Sequence, residues 1–168
     1  GELLAALPRI QSDPKRVSGL VETLLLPHFD APRATRIAVG AYWRQASAEQ
    51  QERLVKEFTT LLVRTYSGAL TSYSGQKIEF SPLRARPGDA EVTVRSTVRQ
   101  PGAEPIAIEY DLERSGASWK VFDVRVAGIS LVATYRSAFA EHARNHGIDG
   151  LIAMLAGKNA GYPRELRM

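Results

Sequence analysis

The sequence predicts an α+β fold: helices, then a four-stranded antiparallel meander, then helices again. Three observations carry this. Apolar residues recur at three- and four-residue spacing between Leu54 and Tyr66, they alternate with polar residues between Glu91 and Leu112, and helical spacing returns after Gly128. The first and last patterns place one face of a helix on a core. The middle one gives strands with one apolar and one wet face.

The elements follow in order. Asp13-Pro14 supplies an N-cap and a proline at the first helical position. The helix it opens runs to about Leu26, carries Val17, Leu20, Val21, Leu24 and Leu25 on one side, and stops at Pro27. Asp30-Ala31-Pro32 starts a second helix bearing Ile37, Ala38, Ala41 and Tyr42. Ser47 and Gln50 form a capping box for a third, from Ala48 to about Tyr73, whose inward face is Leu54, Phe58, Leu61, Leu62, Thr65, Tyr66 and Ala69. Strands are expected over about 76–86, 89–100, 104–114 and 117–127. The turns between them are Pro87-Gly88-Asp89, Pro101-Gly102 and Ser115-Gly116. Turns this short make neighbouring strands antiparallel. Gly128 permits a tight turn from strand to helix, and Ser130 caps the helix that follows. That helix ends at Asn145-His146-Gly147, and Ile148–Leu155 forms a last short one. Residues 1–157 read as a single domain, with 158–168 a polar tail.

Composition narrows the function classes. The 168 residues carry a net charge of +4, with basic and acidic residues interspersed, so a nucleic-acid surface is not expected. No apolar run approaches the roughly 20 residues of a membrane span. There is no cysteine, which excludes disulfides and thiolate chemistry. No basic segment followed by an apolar one opens the chain at Gly1, so no leader peptide is read within it.

The most specific stretch is Trp119-Lys120-Val121-Phe122-Asp123-Val124-Arg125-Val126-Ala127-Gly128-Ile129-Ser130-Leu131-Val132-Ala133-Thr134-Tyr135-Arg136-Ser137-Ala138-Phe139. It resembles the signature W-K-V-x-D-V-x-V-x-G-V-S-L-V-x-x-Y-R-x-x-F of the MlaC, or toluene-tolerance, family. Further pieces are similar in the same order: Leu25-Leu26-Pro27-His28-Phe29-Asp30, Gly40-Ala41-Tyr42-Trp43-Arg44, Ser47-Ala48-Glu49-Gln50, Tyr110-Asp111-Leu112 and Gly147-Ile148-Asp149-Gly150-Leu151-Ile152. Ala48 stands where the family has proline.

The resemblance implies a periplasmic phospholipid carrier without catalytic activity. Such a carrier shuttles lipid between an outer-membrane lipoprotein complex and an inner-membrane ABC transporter and maintains outer-membrane lipid asymmetry. It implies no cofactor; a diacyl phospholipid is the cargo. A monomer is expected. The implied architecture is a curved sheet half-wrapped by helices, similar to the cones of cystatin-like and nuclear-transport-factor-2-like proteins, with an apolar lipid pocket inside. Candidate wall residues are Phe29, Phe58, Leu62, Tyr66, Val132, Tyr135 and Phe139 from the helical segments, and Val94, Val98, Ile108, Tyr110, Val121 and Val124 from the strands. Tail burial must drive binding. A sixteen-carbon tail represents about 12 kcal/mol of transfer free energy, against about 1 kcal/mol for a headgroup contact near water.

Trp43 and Trp119 read as structural anchors, and Arg136 as a partner for Asp123. Gly128-Ile129-Ser130-Leu131-Val132 lacks the second glycine of a nucleophile elbow. His142 and His146 are spaced as metal ligands but have no third partner in the sequence. Two rivals stay open. One is an enzyme of the same cone fold, acting on a hydrophobic small molecule with Asp123 as base. The other is a carrier of a different apolar ligand, such as a quinone or hopanoid.

Overall fold

The computed structural model describes residues 19, 21–71 and 75–161. Most of the helix expected from Asp13 lies outside these. Its described end is a π-helical turn, Val21–Leu25, followed by a 3-10 turn, Leu26–His28, that contains Pro27. Proline has no N–H to continue an α ladder, so the helix ends there.

Helix α1 is Ala31–Val39, and Asp30 caps it by accepting the Arg33 amide at 2.9 Å. A 3-10 turn, Gly40–Arg44, leads on to α2, Ala48–Thr71. The expected capping box is present in both halves. Ser47 Oγ accepts from the Gln50 amide at 3.1 Å, and Gln50 Oε1 accepts from the Ser47 amide at 2.9 Å. Leu54, Phe58 and Leu61 are buried on α2 as expected. Thr65, predicted on the same face, is exposed, because the helical core's last α2 residue is Leu61.

The sheet has five antiparallel strands in sequence order, not four. They are β1 (Lys77–Phe80), β2 (Glu91–Arg99), β3 (Ile106–Ser115), β4 (Ser118–Val126) and β5 (Ile129–Ser130). β1 stops well short of its predicted end. After Ser81, whose amide still donates to Arg95 O at 2.9 Å, Pro82 has no N–H for the ladder. The fifth strand corrects the reading of Gly128. Ala127 and Gly128, with φ of 49° and 81°, form a two-residue hairpin turn between Val126 and Ile129. Strand passes to helix only later, through a 3-10 turn at Ala133–Tyr135, and helix α3 begins at Arg136. Ser130 does cap that turn, its hydroxyl accepting from the Ala133 amide at 2.8 Å.

α3, Arg136–Asn159, is broken at Gly147 (φ 71°, ψ 178°), where the sequence predicted a stop. Gly150 is needed for space: a Cβ there would fall 2.5 Å from that of His146. Lys158 and Asn159, placed in the polar tail by composition, belong to α3. Asn159 is buried and donates to Glu57 O at 2.8 Å.

The core is helical. Ala34, Ala38 and Val39 of α1, Leu54, Phe58 and Leu61 of α2, and Phe139, Ala143, Leu151, Ile152 and Leu155 of α3 bury together with Val132. The helices pack mainly on one another. The sheet is joined to them along β4, where the Asp30 amide donates to Val121 O at 2.7 Å and α1 lies against the strand.

Candidate functional site

Strand register sorts the sheet's side chains into two faces, since directly paired residues share a face and neighbours along a strand alternate. Four cross-strand rows run over one face: Ile78–Val98–Ile106, Phe80–Ser96–Ile108–Val126–Ile129, Val94–Tyr110–Val124 and Val92–Leu112–Val121. Ser96 apart, every member is apolar. The opposite face carries Thr93, Arg95, Thr97, Glu109, Asp111 and Arg125, tied by hydrogen bonds and ion pairs: Arg95–Glu109 at 2.9 Å, Arg125–Asp111 at 2.9 Å and Thr93–Asp111 at 2.7 Å.

Val121 and Val124 are three residues apart and would fall on opposite faces of a regular strand. A β-bulge resolves this. Asp111 pairs with Asp123, the next residue Leu112 pairs with Val121, and Phe122 is the extra residue. Both valines therefore join the apolar face.

That face is not packed like a core. Among the described residues no strand contributes a fully buried apolar side chain; the two buried strand residues are Ser96 and Asp123. All six strand candidates, Val94, Val98, Ile108, Tyr110, Val121 and Val124, lie on the apolar face and are half-buried. The helical candidates divide. Phe58, Val132 and Phe139 are fully buried within the core. Phe29, Leu62 and Tyr135 pack on its edge, and Tyr66 is half-buried. Phe58, Tyr135 and Phe139 form an aromatic trio with ring centroids 5.2–5.4 Å apart. Burial pushes the Tyr66 phenol up to about 12, with the Tyr135 hydroxyl beside it and the Asp123 charge acting in the same direction.

The sequence named only part of this face. Ile78, Phe80, Val92, Ile106, Leu112, Val126 and Ile129 also belong to it. The alternation already visible at Val92, Ile106 and Leu112 was the signal for three of them. Two clefts open elsewhere, neither lined by any of the thirteen candidates. One, of about 400 Å3, is bordered by Arg84, Thr93, Arg95 and Asp111; the other, of about 470 Å3, lies between α1 and α2 beside Trp43, Val55 and Thr59.

Asp123 is held by its own backbone surroundings. Oδ2 accepts the Ser130 hydroxyl, and Oδ1 accepts the Val124 amide at 2.8 Å and the Val132 amide at 3.3 Å. The expected pairing with Arg136 is not formed. Arg136 instead donates from Nε to Ile37 O at 3.0 Å, where the carbonyls at the end of α1 lack helical partners. His142 and His146 stack at 4.6 Å, and among the described residues no group of three potential ligands could hold a metal ion.

Sequence reasoning missed a second polar cluster. Arg33 donates from Nη2 to Glu91 at 2.6 Å and from Nη1 to Glu113, and its guanidinium lies 3.6 Å from the centre of the Phe122 ring. Its hydrogen bond with Asp30 raises Glu113 above the ordinary carboxylate range, with burial adding to the shift. Burial acts to raise Asp30 too, but the bonds from Glu113 and the Arg33 amide, with the Lys120 and Arg33 charges, outweigh it and leave Asp30 lowered. This cluster fastens α1 to the sheet.

Fold and site together define a class: a small α+β protein whose helices form the core and whose sheet carries an apolar face with no fully buried apolar side chain among the described residues. The comparisons agree. The MlaC protein family model matches residues 2–157, and the chain belongs to that family. The intermembrane phospholipid transport system binding protein MlaC of Haemophilus influenzae is 29% identical over 92% of this chain and 73% of its own. The toluene tolerance protein ttg2D of Pseudomonas putida is 31% identical over 89% of this chain and 69% of its own. A phospholipid-binding protein of Ralstonia solanacearum, solved in complex with a phospholipid, is 37% identical. Its TM-score is 0.85, with 99% of this chain and 93% of that one covered.

Proposed function

We propose that this protein is a phospholipid carrier of the periplasm, taking diacyl phospholipid between an outer-membrane lipoprotein complex and an inner-membrane ABC transporter and so sustaining outer-membrane lipid asymmetry. One observation carries the reading. A sheet face that is apolar but for Ser96 bears no buried apolar residue among those described, while the core closes within the helices. Acyl tails supply what such a face lacks, at about 0.8 kcal/mol per methylene removed from water. The relative solved with a phospholipid, similar over nearly the whole of both chains, supports the same ligand class.

In this reading the tails lie along the rows Val94–Tyr110–Val124, Val98–Ile106 and Ile108–Val126, with Val121 at one end. Phe29, Leu62, Tyr66 and Tyr135 meet them from the helical side. Phe58, Val132 and Phe139 act behind these as core. Residues 1–157 form the lipid-binding domain. No reaction is assigned: the Asp123 carboxylate is engaged by three donors of its own hairpin, and carriage requires none. No described helix is long and apolar enough to cross a membrane, so the tails must be sheltered by the protein itself. Spontaneous loss would expose them to water, so release needs a partner that opens the site.

Native mass spectrometry of the purified protein, with lipid analysis of its organic extract, tests the reading. The expected result is stoichiometric phospholipid. Val94→Trp should lower that occupancy while leaving the unfolding midpoint close to that of the wild type. Protein that carries no lipid and takes none up from vesicles overturns the proposal; a bound quinone or hopanoid would reassign the cargo.

A further inference from the structure

The connection between β1 and β2 has features that lipid storage does not use. Phe80 and Leu83 are 66% and 56% exposed, among the most exposed large apolar side chains of the described residues. Residues 81–88 are all exposed. The connection is nevertheless built. The Ser81 amide bonds Arg95 O at 2.9 Å, Pro82 and Pro87 limit its backbone, and Asp89 closes a turn by accepting the Arg86 amide at 2.7 Å on its side chain. A defined loop therefore holds two large apolar side chains in water.

Their neighbours are Arg84 and Arg86, and among the described residues neither makes an ion pair. The nearest acids along the chain are already engaged: Glu79 with Arg99 at 2.9 Å, Glu91 with Arg33 at 2.6 Å, and Asp89 within the turn. The loop thus carries two exposed apolar side chains and, in the same short segment, two exposed arginines that form no ion pair among the described residues. A stable protein interface buries about 800 Å2 on each partner, far more than two side chains offer. A bilayer surface imposes no such minimum. Apolar side chains enter the headgroup boundary one by one, and each arginine adds attraction to anionic lipid.

We propose that the Phe80–Asp89 loop docks this protein reversibly on anionic phospholipid bilayers. Phe80 also stands at the edge of the apolar row Phe80–Ser96–Ile108–Val126–Ile129, so docking sets the rim of the apolar face against the membrane. Docking itself stands on the loop alone. Only this orientation rests on the carrier reading.

The test is flotation of the full chain with vesicles of phosphatidylcholine alone and of phosphatidylcholine mixed with phosphatidylglycerol, at low and high salt. The expected result is flotation with the mixed vesicles at low salt and release at high salt. Phe80→Ser with Leu83→Ser should weaken it about tenfold or more, given the apolar contact each side chain contributes. Arg84→Gln with Arg86→Gln should weaken it about tenfold or more on the anionic vesicles. Wild type that fails to float, or variants that float equally well, overturns the proposal, the second case placing any membrane contact elsewhere. Unfolding midpoints confirm that these exposed substitutions leave the fold intact. Native mass spectrometry of the same samples keeps the two readings apart: docking by protein free of phospholipid sinks the carrier reading alone, and lipid-loaded protein that does not dock sinks this one alone.

Discussion

The Ser130 hydroxyl donates to Asp123 Oδ2 across the β4–β5 hairpin, while the Val132 amide reaches Oδ1 of the same carboxylate. One acid thereby fixes the chain where it leaves the sheet for α3. Ser130 passes the restraint on by accepting the Ala133 amide at 2.8 Å. Asp123 is 7% exposed, so each unmade bond would leave a donor without water.

Asp123→Asn should therefore lower stability by about 1–3 kcal/mol and leave bound phospholipid in place. The asparagine keeps one carbonyl acceptor but turns an amide toward Ser130, whose oxygen already accepts Ala133. Urea unfolding read beside native mass spectrometry decides it. A stable variant stripped of lipid would move Asp123 into the ligand site and reopen a chemical role for it.

Arg33 joins three parts of the sheet to α1: Glu91 on β2, Glu113 on β3 and the Phe122 ring on β4. Its side chain is 19% exposed and Glu113's 25%, so truncation leaves a partly buried acid without its cation. Arg33→Ala should cost about 2 kcal/mol. Arg33→Lys should recover only part of that, because an ammonium cannot fork to two carboxylates and stack on a ring at once. Equal urea midpoints for the alanine and lysine variants would show that geometry, not charge alone, holds the cluster. Midpoints equal to wild type would remove it from the fold's stability altogether.

The legible parts of this fold are those fixed by residues close in sequence. Ser47 and Gln50 announce α2 because the capping box closes within four residues, and Gly147 announces the break in α3 because φ 71° with ψ 178° suits glycine alone. Strand alternation found part of the apolar face for the same reason. The bulge at Phe122 was invisible because it changes which side chains share a face without changing composition; it is also what places Val121 and Val124 together on the apolar face. β5 is two residues long, too short to alternate. Arg33 gave no signal at all, its partners lying 58 and 80 residues away.

Phe58 belongs to the helical core, behind the proposed ligand wall. It is fully buried, and its ring meets Tyr135 and Phe139 edge-on at 5.2 and 5.4 Å. Phe58→Ala should cost about 3–5 kcal/mol through the cavity and the lost aromatic contacts. Phe58→Leu should cost about 1–2 kcal/mol and retain lipid. Thermal unfolding and lipid content of the leucine variant give the answer: lipid lost from a nearly wild-type fold would return Phe58 to the wall of the site.

Tyr66 gives the protein an alkaline limit. Burial pushes its phenol up to about 12, so the folded state keeps a proton that the unfolded chain releases near pH 10. The sign follows directly. The contribution is whole below about pH 10 and is lost as the pH rises toward about 12. Tyr66→Phe removes that dependence and, having no hydroxyl to set beside Tyr135, costs about 0.5–1.5 kcal/mol at neutral pH. Urea midpoints for both proteins from about pH 8 to about pH 12 should converge as the wild type loses its advantage. The other ionising groups act on both chains alike, so the difference between the two curves isolates Tyr66. A constant offset across that range would mean its phenol ionises no differently folded than unfolded.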